Sequence, residues 1–517
     1  MQLVQETNVI FRKSFPCLKP PVSHYLNKTM KSLSIYCLLS VLLPVLCVAQ
    51  PAVRQLRLQE VIALAQEQSA VARQVETTRE TSYWQWRSFR SGYMPQLSVA
   101  GVLPDYQRTI NAVTQPDGAL EFQPVLNNYS EVGLTLKQVI SPTGGSLFLT
   151  SLMQRFDDFD RTQTRYNGNP AIIGLEQPLF AYNELRWKKR TEPLRYEESR
   201  KLYVEDREKI AVTVTNLYFA LLLAQVNQDI AAKNMANNDT LYQVAQEKYK
   251  LGRLSKNDLL QLRLAVLNAG LAQAQAALDA QTSLLALQTY VGLRDSLPLQ
   301  LLAPEQVPAA DIQPAVALTE AHRNRKESIN FQRRLLEAES EVARVKGGNG
   351  FNASVFATFG LTNRGAKWVD IYQNPENQQR VRFGFNMPLL DWGQQRADYK
   401  VAALNRKLVQ HTVALEEANF EQSIITQVNR YNTLKNRIEA TAEANAIAQE
   451  RYDIAKRIYL IGRISITDLN IALAEKDQAR RAYIASLSEF WAAYYSLREL
   501  TLYNFEKQEA LSLQVDQ

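Results

Sequence analysis

Two short segments of this chain combine a serine and an aspartate at the spacing that closes the start of a helix. They are Ser255-x-x-Asp258 and Ser465-x-x-Asp468, and they lie 210 residues apart. In this spacing the serine hydroxyl accepts a hydrogen bond from the amide of the third residue, while the carboxylate returns to the serine amide. The chemistry that these side chains support is helix capping, and each segment predicts a helix that begins there.

The N-terminal region resembles a secretory signal peptide behind an upstream extension. An apolar run after Met30 ends in Cys47-Val48-Ala49, which is typical of a cleavage site for a secreted chain. Met30 is then the expected translation start, and residues 1–29 are the extension. The run is too short for a good membrane anchor.

Composition after the leader excludes several function classes. Cys17, Cys37 and Cys47 all lie within residues 1–49, so the mature chain has no cysteine for disulfides, metal thiolates or nucleophiles. His322 and His411 are the only later histidines, and neither has a ligand partner at metal spacing. The sequence therefore predicts no enzyme, no metal site and no cofactor.

Charge points away from nucleic acid. The formal net charge of +7 falls to +3 without the leader, because 54 basic and 51 acidic residues remain. No basic run interleaved with aromatic residues follows. Nucleic acid is not an expected partner.

A repeat with an offset of 210 residues organises the mature chain. Leu251-Gly252-Arg253-Leu254-Ser255 returns as Ile461-Gly462-Arg463-Ile464-Ser465. Gly252 and Gly462 stand where a helix end needs a left-handed residue, so both positions are predicted hairpin turns. Long segments with helical spacing and almost no proline precede each turn, from about Asn183 to Lys250 and from about Asp391 to Leu460.

Each long segment follows an alternating segment that ends at a proline. Val381, Phe383 and Phe385 alternate with polar residues or glycine before Pro388, and Pro178 ends the equivalent segment of the first half. Both prolines are predicted strand-to-helix junctions. Each half is expected to supply two outer strands, and four strands cannot close a barrel without other copies, because open edges in lipid leave backbone groups unsatisfied.

About 45 further residues in the first half indicate an extra hairpin at about 130–156. From the residues alone it could enlarge a barrel, form an extracellular cap or pack near the helices. The predicted organisation is a leader at 1–49, a first repeat at 50–293, a linker at 294–318, a second repeat at 319–505 and a tail at 506–517.

These segments, in order, resemble the TolC-like outer-membrane efflux protein family. Leu56 to Ala65 and Tyr93-Met94-Pro95 look like its first helix and first strand, and Gln177-Pro178-Leu179-Phe180 looks like its strand-to-helix junction. The resemblance implies an α+β membrane protein with long α-helical hairpins that form an α-barrel, transmembrane β-barrel strands, two structural repeats per chain and closure by trimerisation. Four strands per chain are expected in the barrel.

The resemblance also implies the function and the partners. The chain is expected to be the outer-membrane channel-tunnel of a tripartite efflux or type I secretion system in a Gram-negative bacterium, extending into the periplasm. Conduction would be passive, and the expected partners are two further copies, outer-membrane lipid, a periplasmic adaptor and, through it, an inner-membrane pump. A secreted periplasmic coiled-coil scaffold or adaptor protein is the alternative, and the substrate is not specified.

Candidate gate residues lie at the two hairpin tips. By resemblance, Asp258 and Asp468 would form acidic rings at the periplasmic entrance, although helix capping explains them as well. Tyr459 matches a position that hydrogen-bonds across the closed tip, or it is an ordinary coiled-coil aromatic. Arg253 and Arg463 are candidates for salt bridges there, and Ile464 stands where the family often has a gate arginine.

Overall fold

The computed structural model describes residues 54–293, 299–308, 310–461 and 463–512. The predicted leader and the predicted turn residue Gly462 lie outside these ranges. The predicted fold class is confirmed: long helical hairpins are combined with an antiparallel sheet, and the chain contains two structural repeats.

In each half two short helices are followed by strands of the sheet and then by a helical hairpin. The first half comprises β1 (Arg54–Leu56), α1 (Leu58–Gln68), α2 (Ala70–Ser91), β2 (Gln96–Thr114), β3 (Leu120–Ile140), β4 (Gly145–Asp158), β5 (Gln163–Leu179), α3 (Glu184–Lys250), α4 (Lys256–Val291) and β6 (Leu299–Leu301). The second half comprises α5 (Pro314–Asn324), α6 (Glu327–Gly348), β7 (Asn352–Gly365), a 3-10 turn (Trp368–Tyr372), β8 (Glu376–Asn386), α7 (Gln394–Leu460), α8 (Ile466–Thr501), β9 (Tyr503–Asn504) and β10 (Glu509–Ala510).

The helical hairpins of the two halves are equal in length. α3 and α7 both have 67 residues, and α4 and α8 both have 36. All four pairs of helix ends are related by the offset of 210 residues found in the sequence. A helix of 67 residues spans about 100 Å at about 1.5 Å per residue.

The opening helix is divided in two. Ser69 adopts an extended backbone conformation between α1 and α2, and its hydroxyl accepts a hydrogen bond from the amide of Ala72 at 3.0 Å. Ser69 thereby caps α2 and lets the chain change direction. In α3, Pro193 is the tenth residue, so one amide donor is missing from the helical hydrogen bonds near the start of the helix.

The sheet has more strands than the sequence predicts. Six antiparallel strands follow the order β2-β3-β4-β5-β7-β8, so the first half supplies four and the second half two. The expectation of two outer strands is confirmed for the second half, but it is wrong for the first half and therefore for the total of four per chain. The inserted strands β3 and β4, which overlap the predicted extra hairpin, lie between β2 and β5 and hydrogen-bond to both neighbours along the ladder.

The main apolar core lies midway along the helices. Tyr218 and Phe219 of α3 and Tyr431 of α7 are almost fully buried there, together with Phe490 of α8. The Tyr218 hydroxyl lies within hydrogen-bond distance of the carbonyl oxygens of Leu56 and Leu302, which ties α3 to the short parallel pair of β1 and β6. Burial raises the pKa of Tyr218.

One described helix is apolar enough over 18 residues to cross a membrane by composition, namely α3. Half of that window is buried within the chain. Because Tyr218, Phe219 and Leu221 of this helix are buried in the core, the apolar window is explained by packing against the neighbouring helices.

Ionised groups are buried beside this core. Arg498 of α8 contacts Glu208 of α3 at 3.0 Å, and Arg325 contacts Glu205 at 3.3 Å. Burial is the main cause that raises the pKa values of Glu205, Glu208 and Glu499 above the ordinary 4.5, against the opposing effect of the arginines.

These carboxyl groups predict a dependence of stability on pH. A carboxyl whose pKa is raised by folding binds protons more readily in the folded state, so its contribution to stability is present below about pH 4.5 and is lost as pH rises through the raised value. We expect the Glu208→Gln variant to show a smaller gain in melting temperature than the parent when pH is lowered from 7 towards 5. Glu197→Gln, an exposed change on the same helix, is the control. An equal gain in parent and Glu208→Gln would contradict the prediction.

Candidate functional site

The turn between α3 and α4 follows the predicted geometry. Gly252 has φ +69°, which glycine adopts without strain. The amide of Gly252 donates to the carbonyl oxygen of Tyr249 and that of Arg253 to Lys248, both at 2.9 Å. These bonds satisfy carbonyl groups that the helix end leaves free.

Both Ser-x-x-Asp segments cap the helix that follows. Ser255 Oγ accepts from the amide of Asp258 at 3.1 Å and donates to its carboxylate at 2.7 Å. Ser465 and Asp468 form the same two bonds at the same distances, and the Ser465 amide also donates to Asp468 at 3.2 Å. Hydrogen bonds from the Ser465 side chain, followed by its backbone amide, lower the pKa of Asp468. Both aspartates therefore take part in capping the helices that begin at the tips.

Tyr459 lies between the two hairpins. It is half-buried in a small apolar cluster built around Tyr452, Leu469 and Ala472, and the Lys248 ammonium lies 5.9 Å from its ring centre. Burial, and secondarily the charge of Asp258, raises the pKa of Tyr459. The structure therefore brings Tyr459 of one hairpin next to Lys248 of the other.

The arginines of the two turns have no comparable contact among the described residues. Arg253 and Arg463 are exposed, and within the described ranges neither forms an ion pair. Ile464 is half-buried beside the second turn. The role of these positions in a gate remains a prediction.

A second contact between the hairpins was not predicted from the sequence. Asp477 of α8 is 4% exposed and accepts a hydrogen bond from Asn234 of α3 at 2.7 Å. Arg481 donates to Asn227 of α3 at 2.9 Å. The only sequence signal is the occurrence of polar residues on an otherwise apolar helix face, which does not identify partners 243 and 254 residues away.

The junction prolines differ slightly in their surroundings. Pro178 is the penultimate residue of β5 and pairs with Ser354, whereas Pro388 follows the end of β8. Large apolar side chains next to both prolines are exposed, with Phe180 at 74%, Leu389 at 89% and Trp392 at 90%. An exposed group of this kind at the end of a sheet is typical of a membrane interface.

The two faces of the sheet have opposite chemistry. Leu97, Ile173 and Phe359 share one row of the apolar face, and each is exposed. On the other face Gln154 donates to Glu131 at 2.8 Å and Asn167 donates to Gln154 at 3.0 Å. One face is suited to lipid and the other to water.

The sheet and the helical layer both have two free edges. β2 and β8 are the outer strands, and neither has a second partner strand among the described residues. α4 packs mainly on α3, and α7 packs on α8, while α3 and α8 contact each other in the centre. Edges of different identity on each side fit a ring in which each copy contacts the next.

No group of three or more His, Cys, Asp or Glu that could hold a metal ion occurs in the part of the chain that the structure describes. His322 contacts Glu421 at 3.1 Å and the ring of Phe420. His322 therefore contacts one carboxylate and one aromatic ring.

The family profile described as "Outer membrane efflux protein" matches residues 146–293, from β4 to the turn after α4. The resemblance to the TolC-like outer-membrane efflux protein family is confirmed. The predicted location in the outer membrane is confirmed with it. No curated protein matches the chain.

Solved structures share the TolC-like architecture at low sequence identity. A membrane protein from Pseudomonas aeruginosa is 16% identical with a TM-score of 0.62, covering 88% of this chain and 92% of that one. The CmeC outer membrane channel of Campylobacter jejuni is 15% identical with a TM-score of 0.63, covering 86% and 85%. The open-state MtrE outer membrane channel of Neisseria gonorrhoeae is 14% identical with a TM-score of 0.59, covering 86% and 88%. At these identities the likeness concerns the fold.

Proposed function

We propose that this TolC-like chain is the exit duct of a tripartite efflux or type I secretion system and that three copies form one channel. One observation carries the proposal: a single chain joins a sheet with an exposed apolar face to two helical hairpins of equal length. A duct needs both parts, because the sheet must cross lipid and the hairpins must extend towards an energy source. Conduction is passive, with energy supplied by the pump.

The free edges of the sheet support closure by further copies. In the hydrocarbon layer each unpaired backbone group costs several kcal/mol, so an open sheet is not stable there. β2 of one copy and β8 of the next are the available partners. A secreted coiled-coil scaffold would have no use for such edges or for the exposed apolar face.

The repeat identifies the helices that would meet between copies. Since α3 and α7 are equivalent, and α4 and α8 likewise, the contact between α3 and α8 within the chain has its counterpart between α7 of one copy and α4 of the next. Exposed leucines on α4 recur at the spacing of a coiled-coil seam. They are Leu260, Leu264, Leu267, Leu271, Leu278 and Leu285.

The hairpin tips are the proposed docking surface for a periplasmic adaptor. They are the parts of the helical hairpins farthest from the sheet, and they present exposed Arg253 and Arg463 without ion-pair partners among the described residues. Through the adaptor the channel would be coupled to an inner-membrane pump. The specificity for the substrate resides in the adaptor and the pump.

Electron microscopy of protein extracted from the outer-membrane fraction in mild detergent tests the proposal. We expect three-fold particles with a tube longer than about 100 Å, the length given by the helix rise. Monomeric particles, or protein recovered only from the soluble periplasm, would refute the duct and favour the coiled-coil scaffold.

The tip residues give a prediction for gating. Replacing Asp468 with Ala and Tyr459 with Phe removes the carboxylate of a capping box and the hydroxyl of a half-buried tyrosine at the tip, so the closed state should lose about 1 kcal/mol, roughly a fivefold rise in leakage. Conductance of the purified channel in planar bilayers, together with uptake of a large antibiotic, measures this. Tyr249→Phe, the exposed repeat equivalent of Tyr459, serves as the control. Unchanged conductance and uptake in the double variant would contradict the gate.

A further inference from the structure

We propose that β3 and β4 widen the membrane barrel to six strands per chain, so that the exit of the assembled duct is as wide as its helical tunnel. This inference rests on the proposed function. It concerns where along the duct the size of a transported solute is limited.

β3 and β4 are full members of the sheet and not an appendage. β3 pairs with β2 from Gln96↔Lys137 to Thr114↔Leu120, and β4 pairs with β5 from Ser146↔Glu176 to Asp158↔Gln163. A bulge interrupts each of these two ladders, but the pairing continues beyond it. Removal of the two strands from the sheet would therefore leave two long ladders unpaired.

The apolar face continues across the inserted strands at one level. Leu97, Leu136, Leu149, Ile173 and Phe359 are successive partners on β2, β3, β4, β5 and β7. Their exposed fractions are 66%, 38%, 46%, 48% and 54%. Because the leucines of β3 and β4 lie in the same exposed row as those of the other strands, all five strands offer the same surface to lipid.

The polar face continues in the same way. Thr135 of β3 contacts Thr150 of β4 through their hydroxyl groups at 3.0 Å. Farther along the same strands, Gln154 of β4 links Glu131 of β3 to Asn167 of β5. The inserted strands therefore line the aqueous side of the sheet and add to its circumference.

The widths of the sheet and of the helical layer then agree. Strands about 4.8 Å apart and tilted by about 40° occupy roughly 38 Å of circumference when there are six, but roughly 25 Å when there are four. Below the sheet, α2, α3, α6 and α7 pack side by side, and four helices at about 8–10 Å occupy roughly 32–40 Å. Because each helix also extends about 5 Å from its axis into the lumen, six strands per copy give an exit at least as wide as the helical tunnel.

An exit at least as wide as the helical tunnel does not limit the size of a transported solute at the membrane. With three copies, 18 strands would surround the exit, and barrels of about this size leave an aqueous channel. The closable tip would be the remaining point of size selection. This geometry suits bulky polar cargo that fills the helical tunnel.

A shortened chain provides the matched comparison. Gln107 and Gln163 lie at the same height in the sheet, because they are connected by the strand pairs Gln107↔Asn127, Asn127↔Asp158 and Asp158↔Gln163. Deletion of residues 109–159 therefore leaves β2 and β5 joined by a short turn. Each remaining side chain keeps its face of the sheet. The deletion removes β3 and β4 and leaves the helical hairpins untouched. We expect a barrel of four strands per chain in this variant.

The experiment has two readouts. Electron cryomicroscopy of both trimers in lipid nanodiscs counts the strands, and polyethylene glycols of graded size, added from the extracellular side in planar bilayers, measure the exit independently of the tip. We expect 18 strands in the parent, with a cross-section roughly twofold that of the deletion variant and entry of larger polymers. The parent strand count decides the question even if the variant does not fold.

Two outcomes overturn the inference. A parent trimer with 12 strands in the barrel, and β3 and β4 outside it, would refute the wide exit while leaving the proposed duct intact. Equal polymer thresholds in parent and variant would do the same. Absence of a trimeric channel in the parent would refute both the inference and the proposed function.

Discussion

The variant that carries Leu267→Lys and Ala274→Lys is expected to remain monomeric in detergent. Both positions are exposed in the single chain, so the fold of the monomer should tolerate lysine. Their repeat equivalents on α8, Asp477 and Ile484, are buried, at 4% and 1% exposure. By the repeat, we therefore expect the next copy to bury residues 267 and 274, and two ammonium groups in that seam would oppose assembly by several kcal/mol.

The neighbouring residues allow a control with the same charge. Asn268 and Ala272 are exposed, and so are their equivalents Gln478 and Ala482. Asn268→Lys with Ala272→Lys should therefore assemble like the parent. Size-exclusion chromatography with light scattering measures the mass of each detergent-solubilised protein. Trimers of the 267/274 variant, or loss of trimers in the control, would contradict the proposed seam.

The second large effect concerns the buried pair of Arg498 and Glu208. Arg498→Leu is expected to lower the free energy of unfolding by about 3 kcal/mol, because removal of one partner leaves the other charge buried. The Glu208 side chain is only 8% exposed, and burial already raises its pKa with Arg498 in place. Denaturant unfolding followed by tryptophan fluorescence measures the change.

A double variant separates the effect of the unpaired buried charge from the effect of lost packing contacts. Arg498 also lies 5.8 Å from the ring centre of Tyr494 and 5.3 Å from that of Tyr495, so some stability will be lost through these contacts. In Glu208→Leu with Arg498→Leu no charge is left unpaired, and most of the loss should be recovered. If the single variant costs less than about 1 kcal/mol, or if the double variant is no better, the pair does not act as described.

Local signals in the sequence identified much of this fold. At the first tip, a glycine followed by a serine predicts a turn and then a helix cap. The structure has the turn at Gly252 and the cap at Ser255. Such features depend on hydrogen bonds within five residues, which the order of the side chains specifies. The long helices ended within a few residues of their predicted bounds for the same reason.

The placement of the inserted strands could not be predicted in this way. Alternation between apolar and polar residues specifies a strand with two faces, but it does not specify which strand lies beside it. Leu134 and Leu136 would alternate equally well in a separate hairpin. Their position in the main sheet depends on pairing with Val99 and Leu97, more than 30 residues away.

Contacts between distant side chains at the tip could not be predicted from the sequence either. Tyr459 was identified from its position by resemblance, but its neighbour Lys248 lies on the other hairpin, 211 residues earlier in the chain. No local pattern links the two. The burial of Asp477 has no signal in the sequence, because a single acid on a helix is usually solvated.

The equal lengths of the two hairpins restrict how this protein can change length. A deletion in one arm alone would lift one tip above the other and separate Tyr459 from Lys248. A seven-residue deletion made at equivalent sites in all four long helices preserves the seam spacing and shortens the tube by about 10 Å. The depth of periplasm that the protein can span is thus adjustable only in paired steps, and a match to a different cell envelope requires coordinated change in both halves of the gene.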